Sequence, residues 1–259
     1  MTTLQSRWRQ KRAVQACAWF ALSAFVVWAW AWSEFDLGAL FGSGPRLVEF
    51  FTRLVPPDWS VAELVLRSTL ETLMIAFAGT AMAVVFALPL GFLAAGNVTP
   101  GWLSHGVKWI LGFIRSIPLI VVAIVLVTAV GLGPFPGALA IAFHSVGMLA
   151  KFFAEEFETA DEGILQAVRG TGASWSQTLR YGLLPQSVPQ IVAFIVFRLE
   201  MNFRDAAVLG LVGAGGIGFY IQLYVRGFQY EKVAVLLITI IAVVTALDQV
   251  TYWVRRWVR

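Results

Sequence analysis

The sequence predicts an all-α, polytopic helical membrane protein with about six transmembrane helices. Hydrophobic residues make up 59% of the 259 residues. Charged residues make up only 13%, about half of the share that is typical of soluble domains. Three stretches, 13–33, 72–107 and 116–150, contain no charged residue. Each of them is long enough to cross a bilayer as a helix, which takes about 20 apolar residues.

Residues 1–62 are expected to form a basic cytoplasmic flank, a first transmembrane helix at 13–32 and an extracytoplasmic segment. Three tryptophans, Trp28, Trp30 and Trp32, lie at the far end of this helix, where amphipathic rings prefer the membrane interface. A short surface helix is predicted around 47–51. The single Cys17 excludes a disulfide framework.

Five further spans are predicted in residues 63–259, at about 64–95, 109–130, 138–153, from 188 onward, and 233–253. Arg67 and Glu71, at the start of the second span, have the i,i+4 spacing of an ion pair. The apolar run 206–225 fits either a re-entrant segment or a span of its own. The sequence therefore leaves five, six or seven spans open, with six preferred.

The distribution of lysine and arginine predicts the orientation of the chain. With six spans, eleven of these residues lie on the side of the two termini and four lie on the opposite side. Positive residues mark the cytoplasmic side, so both termini and the polar stretch 166–185 are expected to face the cytoplasm. The net charge of +4 is explained by these basic residues beside the spans, so no nucleic-acid partner is expected.

The stretch 166–185 is the longest polar interruption between membrane-like segments. Ser174 and Gln177 have the spacing of a capping box at the start of a helix. Gly170 and Gly172 precede this helix, and Pro185 is expected to end it. We therefore predict two short helices that meet at a glycine turn and form a docking element.

The glycines of 213–218 match the pattern G-x-G-x-x-G. Dinucleotide binding would require a soluble βαβ context, and here the flanking residues are membrane-like. Close helix contact or an unwound segment within protein is the better interpretation. The pattern G-x-x-x-x-G-K-[ST] does not occur, so the chain carries no ATPase site of its own.

Several charged residues lie within the predicted spans, namely Arg115, Arg198, Glu200, Arg204, Asp205 and Asp248. Because charge in a membrane is costly, these side chains should face protein or water. They fit either a partly cationic pathway or a structural role, in which Arg198 with Glu200 and Arg204 with Asp205 lie near a membrane end or form pairs. For Asp248 the structural role is preferred. Arg115, next to Ser116, has no charged neighbour in its segment and is the strongest candidate to meet an anion.

The sequence gives no support for an enzyme. His105 and His144 are its two histidines, and neither has carboxylates at the spacing of metal ligands. A hydrolase would need a nucleophile and a base in one constellation, and we find none. No catalytic residue, metal site or cofactor is expected.

The stretch 166–185 resembles a cytoplasmic loop of bacterial ABC importer permeases. That loop has the form E-A-A, three residues, Gly, nine residues, Ile, one residue, Leu-Pro. Gly172 and the pair Leu184-Pro185 match it, whereas Gln166, Val168 and Gly182 depart from it. The resemblance implies a coupling loop at about 157–187 with these ATPase-coupling residues: Gln166, Ala167, Gly170, Gly172, Ala173, Trp175, Leu179, Leu184 and Pro185.

Residues 115–118, 180–190 and 197–218 resemble the phosphonate or phosphite importer permease family in particular. This resemblance implies the type I ABC importer permease fold in residues 63–259 and a translocation path through an inner membrane. The partners that it implies are cytoplasmic ATPase subunits, a periplasmic or lipid-anchored binding protein, membrane lipid and a second permease copy, most simply in a homodimer. The candidate path residues are Arg115, Ser116, Arg198, Asn202, Arg204, Gly213, Gly215 and Gly216.

Two alternatives stay open. An importer permease of the same class could carry another small anion or nutrient, because the selectivity of the helices cannot be read from the sequence. A secondary transporter would have inverted repeats with broken helices near the membrane midplane. The glycine-rich interruption at 213–218 suits such a break, but no clear repeat accompanies it.

Overall fold

The computed structural model describes residues 2–33, 36, 38 and 42–258, and within these every regular element is helical. The chain forms two compact units, 1–52 and 53–259. The first unit contains helix α1 (Thr2–Trp32) and most of helix α2 (Gly44–Arg53). Residues Val14–Trp32 are long and apolar enough to cross a membrane, and the short helix predicted around 47–51 is present. The predicted extracytoplasmic segment lies partly outside the described residues.

The second unit is built on four long helices: α3 (Ala62–Ala94), α6 (Pro134–Glu158), α9 (Leu184–Leu209) and α11 (Tyr230–Val258). Each belongs to a segment that is long and apolar enough to cross a membrane. Helices α3 and α6 pack closely because glycines replace side chains at their contact. A Cβ at Gly79 would lie 2.6 Å from Ile141, and a Cβ at Gly91 would lie 2.8 Å from Phe153. Small residues allow backbones to approach in this way.

The span predicted at 109–130 is not one continuous helix. Two helices occupy this region, α4 (Gly101–Ser116) and α5 (Leu119–Val130), and they are bent by 78° relative to each other. Pro118 lacks the N–H that would continue the helix, and it holds Ile117 in an extended conformation with ψ 120°. The described residues therefore contain five long candidate spans, or six if the bent pair crosses as one broken span.

The run 206–225 is not a span of its own. Helix α9 ends at Leu209, and after a 3₁₀ turn (Gly210–Val212) and a glycine turn the short helix α10 (Gly216–Arg226) follows. The glycine turn has φ values that favour glycine: +92° at Gly213, +79° at Gly215 and +70° at Gly216. A Cβ at Gly218 would collide with a backbone carbonyl of α9. The prediction of close backbone contact in 213–218 is confirmed.

The predicted ion pair of Arg67 with Glu71 is wrong. Arg67 instead pairs with Glu63, one turn before it, at 2.6 Å between exposed side chains. A glutamate that precedes its basic partner by four residues is the better orientation on a helix. The Glu71 carboxylate lies instead against the glycine turn, where a Cβ at Gly215 would come 2.6 Å from its Oε1.

Candidate functional site

The coupling segment (157–187) contains two short helices that are joined by a glycine turn, as predicted. Helix α7 (Glu162–Gly170) begins at Asp161, whose carboxylate accepts a hydrogen bond from the Gly163 N–H at 2.7 Å. Gly172 turns the chain with φ +82°. Helix α8 (Trp175–Thr178) then starts with the predicted capping box. In this box the Ser174 N–H donates to the Gln177 side chain at 2.8 Å.

The prediction that Pro185 ends the second helix is wrong. A π turn (Leu179–Leu183) joins α8 directly to α9, and Pro185 lies in the first turn of α9. The N–H of Leu184 reaches back five residues to the carbonyl of Leu179. In this wider turn the proline ring fits without ending the helix, although Pro185 itself donates no N–H. A force on α8 therefore acts on a continuous helical rod.

The predicted coupling residues are spread over this rod and the turn before it. Gln166, Ala167 and Gly170 lie in α7, and Gly172 and Ala173 lie in the turn. The rest follow in chain order: Trp175 in α8, Leu179 in the π turn, and Leu184 with Pro185 at the start of α9.

Gly182 is one of the positions at which this chain departs from the importer loop, and the packing explains it. A Cβ at Gly182 would lie 3.0 Å from Leu165 Cδ2 and 3.7 Å from Val168 Cγ2. Leu165 is buried and sits between α7 and the π turn. The glycine therefore allows α7 to rest directly on the rod. A cleft of about 680 Å³ beside α7 and α8 is lined by Ala167, Gly172 and Tyr181, among others.

Side chains that the sequence did not single out tie the coupling segment to the spans. The Asp161 N–H donates to Gln186 Oε1 at 3.0 Å, and Gln186 Nε2 donates to the Gly182 carbonyl at 2.7 Å. Glu158 Oε1 accepts from Lys108 Nζ and from the Gly96 N–H, each at 2.7 Å. Apart from Gln186 and Gly182, these partners are 25 to 62 residues apart, so no local pattern could have identified them.

Within the helix bundle, Arg198 is the centre of a buried polar cluster. Its Nε donates to Ser145 Oγ at 2.9 Å, and its Nη2 donates to Asp205 at 3.2 Å and to His144 Nδ1 at 3.2 Å. Only 4% of the Arg198 side chain is exposed. The predicted partner Glu200 is wrong, because residues two apart point to different sides of a helix.

Arg204 belongs to a second ion-pair network. It contacts Glu200 at 2.7 Å and Asp248 at 2.8 Å, so it links α9 to α11. The predicted pair of Arg204 with Asp205 is therefore wrong. Glu200 precedes Arg204 by one helical turn, whereas Asp205 is its neighbour in sequence and points elsewhere. Asp248 is in a structural pair, as the sequence suggested.

Asn202 connects three helices. Its Nδ2 donates to Thr80 Oγ1 on α3 at 2.8 Å, and its Oδ1 accepts from Ser145 Oγ on α6 at 3.0 Å. All three side chains are buried. Asn202 thus joins the Arg198 cluster to α3.

Arg115 lies beside the Arg198 cluster, at the bend between α4 and α5. Its side chain packs on α6 at Gly147, which follows His144 by three residues on that helix. Among the described residues, Arg115 forms no ion pair that would neutralise it. Ser116 is exposed, and its hydroxyl donates to the Phe113 carbonyl at 2.8 Å.

The glycine turn is not part of this cluster. Ala214 contacts α6 at Gly137, ten residues before the Arg115 contact at Gly147. Ten helical residues correspond to about 15 Å along α6. Gly213, Gly215 and Gly216 instead pack against α3 and the loop before α6. The structure therefore brings together Arg115, Arg198 and Asn202 and leaves the glycines apart.

Comparison with known proteins gives three consistent matches. A family model described as "Binding-protein-dependent transport system inner membrane component" matches residues 87–259. The chain is 40% identical over 242 residues to a phosphite transport system permease protein of Stutzerimonas stutzeri, covering 93% of this chain and 86% of that protein. It is 37% identical over 234 residues to a phosphate-import permease protein of Mycolicibacterium smegmatis, covering 90% of this chain and 44% of that protein.

The fold has solved relatives. A chain of the MetNI methionine ABC transporter in an inward-facing conformation matches with a TM-score of 0.69 at 22% identity, covering 78% of this chain and 99% of that one. At this identity the match shows the fold alone, which is that of the type I importer permeases predicted from the sequence.

Proposed function

Because this chain belongs to the family of binding-protein-dependent transport system inner membrane components, we propose that it is the permease subunit of an ATP-driven importer for a phosphorus oxyanion. Phosphonate or phosphite is the preferred solute. The coupling segment is the observation that carries this proposal. Gly172 and the Leu184-Pro185 pair have the spacing of an importer loop, and the segment continues without a break into α9.

A separate cytoplasmic ATPase drives the movement. Helices α7 and α8 dock on it, and the cleft beside Gly172 and Tyr181 receives part of its surface. Closure of the ATPase then displaces α8, and the π turn passes this displacement to α9. The hydrogen bond between Asp161 and Gln186 makes α7 move together with α9. The chain itself hydrolyses no ATP.

Arg115 is the residue in the path that meets the solute. Its guanidinium can form two parallel hydrogen bonds to phosphorus-bound oxygens, and no described carboxylate neutralises it. Arg198 is held by Asp205, Ser145 and His144, so it shapes the path rather than binding the solute. Arg204 and Asn202 hold the helices around it.

The remaining partners follow from the same proposal. Both termini face the cytoplasm, which the excess of basic residues on that side supports. A second permease copy completes the path, most simply in a homodimer. A periplasmic or lipid-anchored binding protein delivers the solute, and the relatives named for phosphite and phosphate transport support the choice of phosphorus oxyanions.

Reconstitution tests this function. The full chain, its cognate ATPase and its cognate binding protein would be placed in proteoliposomes, and uptake of labelled phosphite, methylphosphonate, phosphate and methionine would be measured. We expect uptake that requires both ATP and the binding protein, with a phosphorus oxyanion preferred over methionine. Uptake driven by an ion gradient without ATP would instead establish a secondary transporter.

A further inference from the structure

A groove with a polar and aromatic lining lies beside the coupling segment. It has a volume of about 380 Å³ and lies between α6, α9 and the end of α11. Gln186 and Gln190 line it at the start of α9, and Phe194 and Phe197 line it farther along that helix. From Gln186 to Phe197 the groove extends about 16 Å along the helix. One end therefore offers amide groups and the other offers aromatic rings.

Arg255 supplies the charge of this groove. Its guanidinium carbon lies 5.0 Å from the centre of the Phe197 ring, so a cation–π contact holds it at the groove. It forms no ion pair with any described residue, and the groove is lined by no carboxylate from the described part of the chain. The positive charge of Arg255 is therefore held at the groove, and no described carboxylate neutralises it.

The surroundings of Arg255 are those of a membrane interface. Tyr252 and Trp253 are exposed in the same last turns of α11, and Arg256 follows directly. Exposed aromatic and basic residues at the end of a long apolar helix mark the headgroup level of a bilayer. A basic pocket between helices at this level suits an anionic lipid headgroup.

We propose that this groove binds one anionic glycerophospholipid, of the phosphatidylglycerol class. Arg255, which lies at Phe197, contacts the lipid phosphate, and the headgroup beyond the phosphate extends toward Gln190. One acyl chain continues past Phe197. With the orientation proposed above, the lipid belongs to the cytoplasmic leaflet and lies next to Gln186, which is bonded to the start of α7.

Lipid binding to the full chain in detergent micelles tests the proposal. Native mass spectrometry would count bound dioctanoyl phosphatidylglycerol and dioctanoyl phosphatidylcholine over a concentration series. We expect one phosphatidylglycerol to bind before the others, with about fivefold preference over phosphatidylcholine, as one basic contact at a membrane surface provides. Arg255→Ala should remove this preference.

Arg256→Ala is the matched control, because it deletes the same charge from the adjacent position, outside the groove. It should keep the preference. Gln190→Glu is a second test that leaves Arg255 in place: the new carboxylate should repel the headgroup and also remove the preference. Because Gln190 is exposed, this variant should fold normally.

Three outcomes would overturn the proposal. Equal losses in Arg255→Ala and Arg256→Ala would show general surface charge, and no loss in Arg255→Ala or Gln190→Glu would show that the groove is not the site. Displacement of the lipid by an equal concentration of inorganic phosphate would show a site for soluble anions. None of these measurements involves transport, so their failure would leave the importer function untouched.

Discussion

Replacement of Gly182 by isoleucine, the residue that importer loops carry at this position, should weaken the coupling between the membrane helices and the cytoplasmic ATPase. A Cβ at Gly182 already comes within 3.0 Å of Leu165 Cδ2 and 3.8 Å of Leu165 Cα. The further carbons of isoleucine would enter the space that Leu165 fills. Leu165 is buried with 4% exposure and cannot move into solvent. The substitution should therefore lift α7 away from the π turn.

Overpacking of this kind costs about 1–3 kcal/mol. A cost of this size, if it acts only on the state in which α7 rests on the π turn, lowers the population of that state about 5- to 150-fold. We therefore expect Gly182→Ile to reduce ATPase stimulation by the binding protein about tenfold or more in nanodiscs, with the membrane spans still folded. Gly182→Ala should remain close to wild type, because only the flexible end of Leu165 has to give way.

The double variant Gly182→Ile with Leu165→Ala provides the decisive comparison. Leu165→Ala alone removes packing and should impair coupling, whereas together the two changes restore a similar volume. The double variant should be more active than either single variant. Wild-type stimulation in Gly182→Ile, or a double variant that combines both losses, would refute the packing argument.

Three further predictions address the path and the bundle. Arg115→Ala should lower ATP-dependent uptake at subsaturating solute about tenfold or more, since a charged hydrogen bond contributes about 1.5–3 kcal/mol. Uptake by Arg115→Lys should be intermediate. Unchanged uptake in both variants would show that Arg115 is not in the path. Asn202→Ala breaks two interhelical hydrogen bonds and should destabilise the bundle by about 1–2 kcal/mol in equilibrium unfolding, whereas the exposed Gln190→Ala should change little. Gly218→Ala should greatly reduce folded protein in fluorescence-detected chromatography, because its Cβ has no space, whereas Gly112→Ala, with nothing within 4 Å, should express normally.

Local features of the structure were readable from the sequence because their causes are local. The capping box of Ser174 and Gln177 depends on four consecutive residues, and it forms as predicted. The break at Pro118 was equally local, since proline has no N–H, but the length of the apolar run obscured it. The continuation through Pro185 was missed because a π turn absorbs a residue that usually ends a helix.

By itself, the sequence determined that the chain is a bundle of membrane-spanning helices with a polar segment between two of them. Long uncharged runs can satisfy their backbone groups in a membrane only as helices, so composition decides this class. The tertiary structure alone decided the partners of the buried charges. Arg198 pairs with Asp205 and Arg204 pairs with Asp248, because the helical rotation and the packing of the helices determine which side chains meet. It also decided how little space surrounds Gly182, because the neighbouring side chain, Leu165, arrives from another helix.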